Sequence, residues 1–304
     1  MSPRNSIIFV ENLSKCFGKL AAVDDVSFMV KPGEIVGFVG PNGAGKTTTI
    51  SLMMGYLRAT TGIVRLFGDD TTPASAHRHH VQIGYTAGDM SLLNNLTGSQ
   101  YLAHMAALTR LNSVRQKELI DLINPVLNKR LKHLSRGNKQ KIALIAALQH
   151  GPKLLILDEP TTGLDPLMQE TFLNIIRQEA REGATVFMSS HILSEVTHIC
   201  TRVMFMKRGK IILDSTVADI EAQAGKEISI TSDKKSLVAL LKNHPAGLIN
   251  PKQTGTTITF LYQGKITPIT KWLASHTIRD VTIRDRDFDS IFHDMYDDGE
   301  ETAR

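Results

Sequence analysis

Gly40-Pro41-Asn42-Gly43-Ala44-Gly45-Lys46-Thr47 fits the pattern G-x-x-x-x-G-K-[ST] at every fixed position. Such a loop wraps a phosphate in backbone N–H groups, with glycines where the chain must approach closely or adopt positive φ. Lys46 then brings a cation to the β- and γ-phosphates, and the Thr47 hydroxyl reaches toward Mg²⁺. The flanks agree. Ile35-Val36-Gly37-Phe38-Val39 reads as a buried strand, and Thr47 to Met54 as the helix whose N-terminal dipole faces the anion.

Composition narrows the class. The chain has 304 residues, 42% of them apolar, a length that favours one large domain with a smaller companion. No run approaches the roughly 20 apolar residues of a membrane-spanning helix. Met1-Ser2-Pro3-Arg4-Asn5 lacks the basic-then-apolar layout of a secretory signal. Cys16 and Cys200 have no metal-ligand spacing and form no disulfide framework, so a cytosolic protein is expected. The net charge is +5, and the excess lies upstream of residue 221, since residues 221–304 hold 11 basic against 12 acidic residues. That mild excess suits nucleotides or an anionic membrane face, and is too diffuse to argue for nucleic acid.

Strands are expected at Ser6 to Phe17, Val23 to Met29 and Ile63 to Phe67, the last followed by a turn at Gly68-Asp69-Asp70. From Gly98 to Asn128 the period becomes helical, an all-helical insert in an α/β chain. A helix then runs from Gly137 to a stop at Gly151-Pro152. Strands and helices alternate after it: Leu154 to Leu157, Met168 to Glu182, Thr185 to Met188, Leu193 to Ile199, Val203 to Met206. Alternation of this kind signals a parallel sheet. Beyond Gly225 a small α+β appendage is expected, with strands at Glu227 to Thr231, Thr256 to Tyr262 and Val281 to Ile283. Its helices are expected at Lys234 to Leu241, Ile269 to Ser275 and Phe288 to Met295.

Two further stretches carry chemistry. Leu154-Leu155-Ile156-Leu157-Asp158-Glu159 places two carboxylates at the carboxyl end of an apolar strand, where open α/β sheets bind ligands. Asp158 would serve Mg²⁺, and Glu159 could polarise an attacking water as general base. Leu134-Ser135-Arg136-Gly137-Asn138-Lys139-Gln140 stands directly before a helix.

With GPNGAGKTT, LSRGNKQK, LLILDEPTTGLDP and SSHILSEV in this order, the chain resembles the ABC ATPases, whose signature is LSGGQ. The resemblance covers residues 6 to 220. It implies a P-loop NTPase fold with an inserted helical subdomain at about 89–150, a cassette over 1–224, and an accessory α+β domain over 225–304. It implies a head-to-tail dimer in which each ATP lies between Gly40 to Thr48 (Gly40, Pro41, Asn42, Gly43, Ala44, Gly45, Lys46, Thr47 and Thr48) of one subunit and Ser135 and Gly137 of the other. Phe17 matches the aromatic that stacks on adenine, its alternative being a core aromatic. Asp165 falls in the loop that touches the partner subunit, and His191 matches the histidine that contacts the γ-phosphate. Lys46, Glu159 and His191 are thus the expected catalytic set.

There are departures from the family pattern. Arg136 and Asn138 replace a glycine and the glutamine of the signature. Gly88 stands where a glutamine is expected, with Asp89 the nearest substitute as a metal ligand beside Thr47 and Asp158. The triplet of His77, His79 and His80 with Arg78 reads as a solvated helix face. The resemblance implies an ATP- and Mg²⁺-dependent ATPase subunit of a transporter, peripheral on the cytoplasmic side of the membrane, with a separate permease and a second ATP-binding subunit. Exporters of the multidrug or antibiotic-resistance type are the nearest likeness. The rival reading is a soluble ABC ATPase acting on ribosomes or nucleic acid; such relatives carry two cassettes, coiled coils or zinc-binding cysteines, none of which this chain shows.

Overall fold

A computed structural model describes residues 6–88, 92–109, 114–192, 196–233 and 244–286. The expected helices at Lys234 to Leu241 and Phe288 to Met295, and Asp89, lie outside them. Two compact units result, Met1–Thr216 and Val217–Arg304.

The first unit holds two sheets. β1 (Ile8–Phe17), β2 (Leu20–Val30), β4 (Thr61–Leu66) and β5 (Asp69–Asp70) form an antiparallel sheet in the order β2-β1-β4-β5. The turn after β4 is tighter than expected. Phe67 (φ 55°) and Gly68 (φ 90°) make it, and Asp69 and Asp70 already belong to the returning strand. Positive φ at both central residues is the signature of the two-residue hairpin turn that matches strand twist.

The second sheet has the order β10-β9-β3-β8-β7-β6, built from β3 (Ile35–Val39), β6 (Ile83–Thr86), β7 (Leu154–Asp158), β8 (Thr185–Ser190), β9 (Arg202–Lys207) and β10 (Lys210–Thr216). Strands β6, β7, β8, β3 and β9 pair in parallel, and β10 closes the edge antiparallel to β9. Every residue of β3, β7 and β8 is buried, which explains their unbroken apolar runs. Phe28 stacks on Phe187 at 5.7 Å, and both lean on Phe38, joining the two sheets in one core. Met53 and Met54 belong to it as well. A Cβ on Gly37 would collide with Val196 Cγ1, so the valine fills the space beside β3.

Helix α1 (Lys46–Met53) follows the phosphate loop, and the short α2 (His77–His80) precedes β6. Here the structure corrects the reading of the histidine triplet. His79 is buried with its ring 5.8 Å from Phe67, and His80 bonds the Met54 carbonyl while its ring meets Tyr56. An imidazole is flat and apolar enough to pack, and a single turn of helix turns these two rings inward.

Helices α3 (Gly98–Thr109), α4 (Val114–Ile123) and α5 (Arg136–Leu148) lie between β6 and β7 in the chain, and α6 (Pro166–Arg181) follows β7. Arg115 of α4 pairs with the buried Glu179 of α6. The Gln116 and Gln149 side chains tie α4 to the end of α5 at 2.7 Å.

The second unit is an antiparallel sheet in the order β12-β13-β11-β14, from β11 (Lys226–Thr231), β12 (Leu248–Thr254), β13 (Thr257–Tyr262) and β14 (Asp280–Asp285). The helix Ile266–Ala274 covers one face, seating Ile269 and Leu273 against Ile228, Ile230, Ile258, Phe260 and Tyr262.

Candidate functional site

The loop between β3 and α1 is shaped by contacts only glycine permits. A Cβ on Gly40 would strike the Met206 carbonyl, and one on Gly45 (φ 111°) the Ala22 carbonyl. Gly45 also caps α1 with no side chain spent on the first-turn N–H groups, the arrangement that suits an anion. Lys46 is only 5% exposed. Its ammonium donates to the carbonyls of Gly40 at 2.7 Å and Pro41 at 3.1 Å, and lies 3.5 Å from Glu159 Oε1.

Glu159 is the centre of the constellation. It follows β7 with φ 46°, a left-handed conformation that turns its side chain out of the strand line. Its N–H donates to Ser189 Oγ at 3.0 Å, holding that conformation. Its Oε2 accepts from Thr162 Oγ1 at 3.3 Å and from His191 Nδ1 at 2.9 Å. A carboxylate has no proton to give, so the imidazole hydrogen sits on Nδ1. Lysine, glutamate and histidine, drawn from three separate segments, thus touch in one chain.

Asp158, wholly buried at the end of β7, accepts from Ser189 Oγ through Oδ1. Its Oδ2 is buried without a hydrogen-bond partner among the described residues. An orphaned carboxylate oxygen in such a place is costly unless something cationic meets it. Its oxygen chemistry fits a hard divalent cation. Gly88 adjoins it, for a Cβ there would lie 3.3 Å from Oδ2. The neighbouring Tyr85 hydroxyl is pushed up from its ordinary acidity by burial first, then by Tyr56 and the Asp158 charge.

Ser135, Gly137 and Asp165 form a second group. Ser135 caps α5, its Oγ accepting from the N–H of Asn138 at 3.3 Å and from its amide at 3.2 Å. Asn138 also accepts from the Val126 N–H, so the residue in place of the signature glutamine braces the capped turn. A Cβ on Gly137 would lie 2.7 Å from the Gly163 carbonyl, and the Arg136 stem packs over Gly163. Asp165 caps α6 through the Met168 N–H at 2.9 Å. No hydrogen bond or ion pair among the described residues joins Ser135, Gly137 or Asp165 to Lys46. Phe17 is 49% exposed, with the Lys15 ammonium 5.1 Å above its ring, so it is no core aromatic.

Sequence reasoning missed Ser189, Thr162 and Gln140, which orient these groups. Gln140 donates to the Pro160 carbonyl at 2.6 Å from a buried position, fixing the turn after Glu159. The paired serines before His191 were the available signal.

Residues 23–162 match the family model described as ABC transporter. The probable multidrug ABC transporter ATP-binding protein YbhF of Escherichia coli is 37% identical over 74% of this chain. The chain spans only 40% of that relative's length. The bacitracin transport ATP-binding protein BcrA of Bacillus licheniformis is 32% identical over 79% of this chain and 80% of its own. A solved ATP-binding subunit of an ABC transporter superposes with a TM-score of 0.65 at 28% identity, over 71% of this chain and 92% of that one.

Proposed function

The chain belongs to the ABC transporter family, among its ATP-binding proteins, and from that premise we propose that it hydrolyses ATP to drive an export permease. The observation that carries this is the contact of Lys46, Glu159 and His191. The lysine offers positive charge to the β- and γ-phosphates. Glu159 accepts the proton of the attacking water, since its second oxygen is already anchored by His191 and Thr162. His191 holds that carboxylate in place and stands beside the γ-phosphate. Asp158 and Thr47 would hold Mg²⁺, which when bound neutralises phosphate charge.

Two copies act head to tail, with Ser135 and Gly137 of one serving the nucleotide on the phosphate loop of the other. One feature supports this pairing, and another the direction of transport. The Ser135 group is built and capped, yet no hydrogen bond or ion pair among the described residues joins it to this chain's own Lys46. The names of the multidrug and bacitracin relatives favour export. No helix among the described residues is long and apolar enough to cross a membrane, so the translocation path is assigned to a separate permease on whose cytoplasmic side this chain sits. The domain limits proposed are a cassette through about Ala224 and an accessory domain beyond it.

Phosphate release from ATP by the purified chain, with and without Mg²⁺, tests the reading, with Lys46→Ala as control. Release that needs Mg²⁺ and falls to background in the control supports it. Release that persists in the control removes the assignment of this site.

A further inference from the structure

The outer edge of β14 is unpaired among the described residues, and its sequence is complementary to itself. Sheet order places β14 at one end, with only β11 beside it. Arg279, Asp280, Arg284 and Asp285 are exposed, as are Val281 (41%) and Ile283 (36%). Register puts Val281 opposite Ile230 and Ile283 opposite Ile228, so both apolar side chains stand on the core face at its uncovered rim. An exposed apolar edge of this sort is a template for another strand.

We propose that β14 pairs antiparallel with β14 of a second copy, about a two-fold axis through Thr282. In that register Arg279 faces the other copy's Asp285, Asp280 faces Arg284, and Val281 faces Ile283. Symmetry repeats each pair. Each charge from Arg279 to Asp285 meets its opposite, and Val281 and Ile283 each gain an apolar cross-strand neighbour. Asp285 already pairs with Lys226 of β11 through Oδ1, and in the proposed dimer its Oδ2 faces Arg279 of the other copy.

Slipping the register by one residue destroys the match. One direction sets Arg279 against Arg284; the other sets Asp280 against Asp285. Either slip also carries the apolar pair to opposite faces. Charges placed merely to keep an edge from pairing would not need to be self-complementary. The contact is narrow, so its effect is to raise the local concentration of two chains. It needs no nucleotide.

The test therefore uses the full chain without nucleotide, in sedimentation equilibrium at low salt. Wild type is expected to self-associate. Asp280→Arg and Arg284→Asp should each weaken association by at least about tenfold, since each places like charges opposite twice in the dimer. The double variant should return to near the wild-type value. Asp280 and Arg284 of one strand lie about 13 Å apart, so rescue reports the contact between copies rather than one within a chain. Thr282→Cys in a Cys16→Ser background should form an intermolecular disulfide on mild oxidation, while Lys252→Cys on the far edge strand should not. A monomeric wild type, a double variant no better than the singles, or cross-linking no faster at 282 than at 252 would each overturn the proposal. Because nucleotide is absent throughout, failure here leaves the ATPase reading standing.

Discussion

Replacing Glu159 by Gln changes one oxygen for an amide and little else. The left-handed backbone costs both residues the same, and the N–H bond to Ser189 Oγ remains. Lys46 keeps its two carbonyl partners. The charge facing it at 3.5 Å disappears. At an effective dielectric of about 20 that contact is worth roughly 5 kcal/mol of gross attraction. Most of this is offset by the desolvation both groups suffer, so a stability change within about 2 kcal/mol is expected. Chemistry suffers more. An amide cannot take the proton of water, and losing a general base costs about 10²–10⁴ in turnover, roughly 3–5 kcal/mol of barrier. Urea denaturation measures the stability change, and single-turnover phosphate release the loss of chemistry. With hydrolysis blocked and phosphate contacts intact, ATP should also hold two chains together in size-exclusion chromatography. Turnover within about threefold of wild type would refute the general-base role.

Three further outcomes follow from the geometry. Ser135→Ala should leave ATP binding to the monomer intact but weaken ATP-driven self-association; it should also cost about 1 kcal/mol in denaturant melts, because the α5 cap is lost. Phe17→Ala should weaken adenine nucleotide binding by roughly 5- to 100-fold, read by fluorescence titration with a labelled ATP, with almost no change in stability. His150 is buried against the Ile83 carbonyl, and burial lowers its pKa, opposed by bonds to the Ile83 and Ala146 backbone. The unfolded chain then binds the proton more readily, so this stabilisation is full above about pH 6.5 and lost as pH falls through the lowered folded value. The urea midpoint should drop on acidification, and His150→Gln should flatten the drop.

The phosphate loop, the acid pair and the parallel core were legible because each is dictated locally: apolar runs for buried strands, glycines for a tight loop. Besides the short β5, the strands β10 and β12 were not. β10 is a half-exposed edge, alternating rather than continuously apolar, and β12 (LINPKQT) carries Pro251 and mostly exposed polar residues. Edge strands tolerate both, so neither leaves the signal of a central strand. The burial of His79 was hidden for a different reason. Its neighbour Phe67, like the Tyr56 that meets His80, is distant along the chain, and composition alone reads three histidines as wet. Ser189 illustrates the same limit at the site, because its two bonds join β8 to the end of β7.

The fit of Gly37 against Val196 has a consequence for how this sequence can drift. A methyl group entering at position 37 meets the valine, and a shortened side chain at 196 leaves a hollow beside a strand that supplies no side chain to fill it. Each change alone therefore carries a penalty, while Gly37→Ala together with Val196→Ala returns much of the lost volume; couplings between touching residues of this kind run to about 0.5–3 kcal/mol. A scan of single substitutions would score both positions as fixed. Only a library varying the two together would reveal that what is held constant is their shared volume.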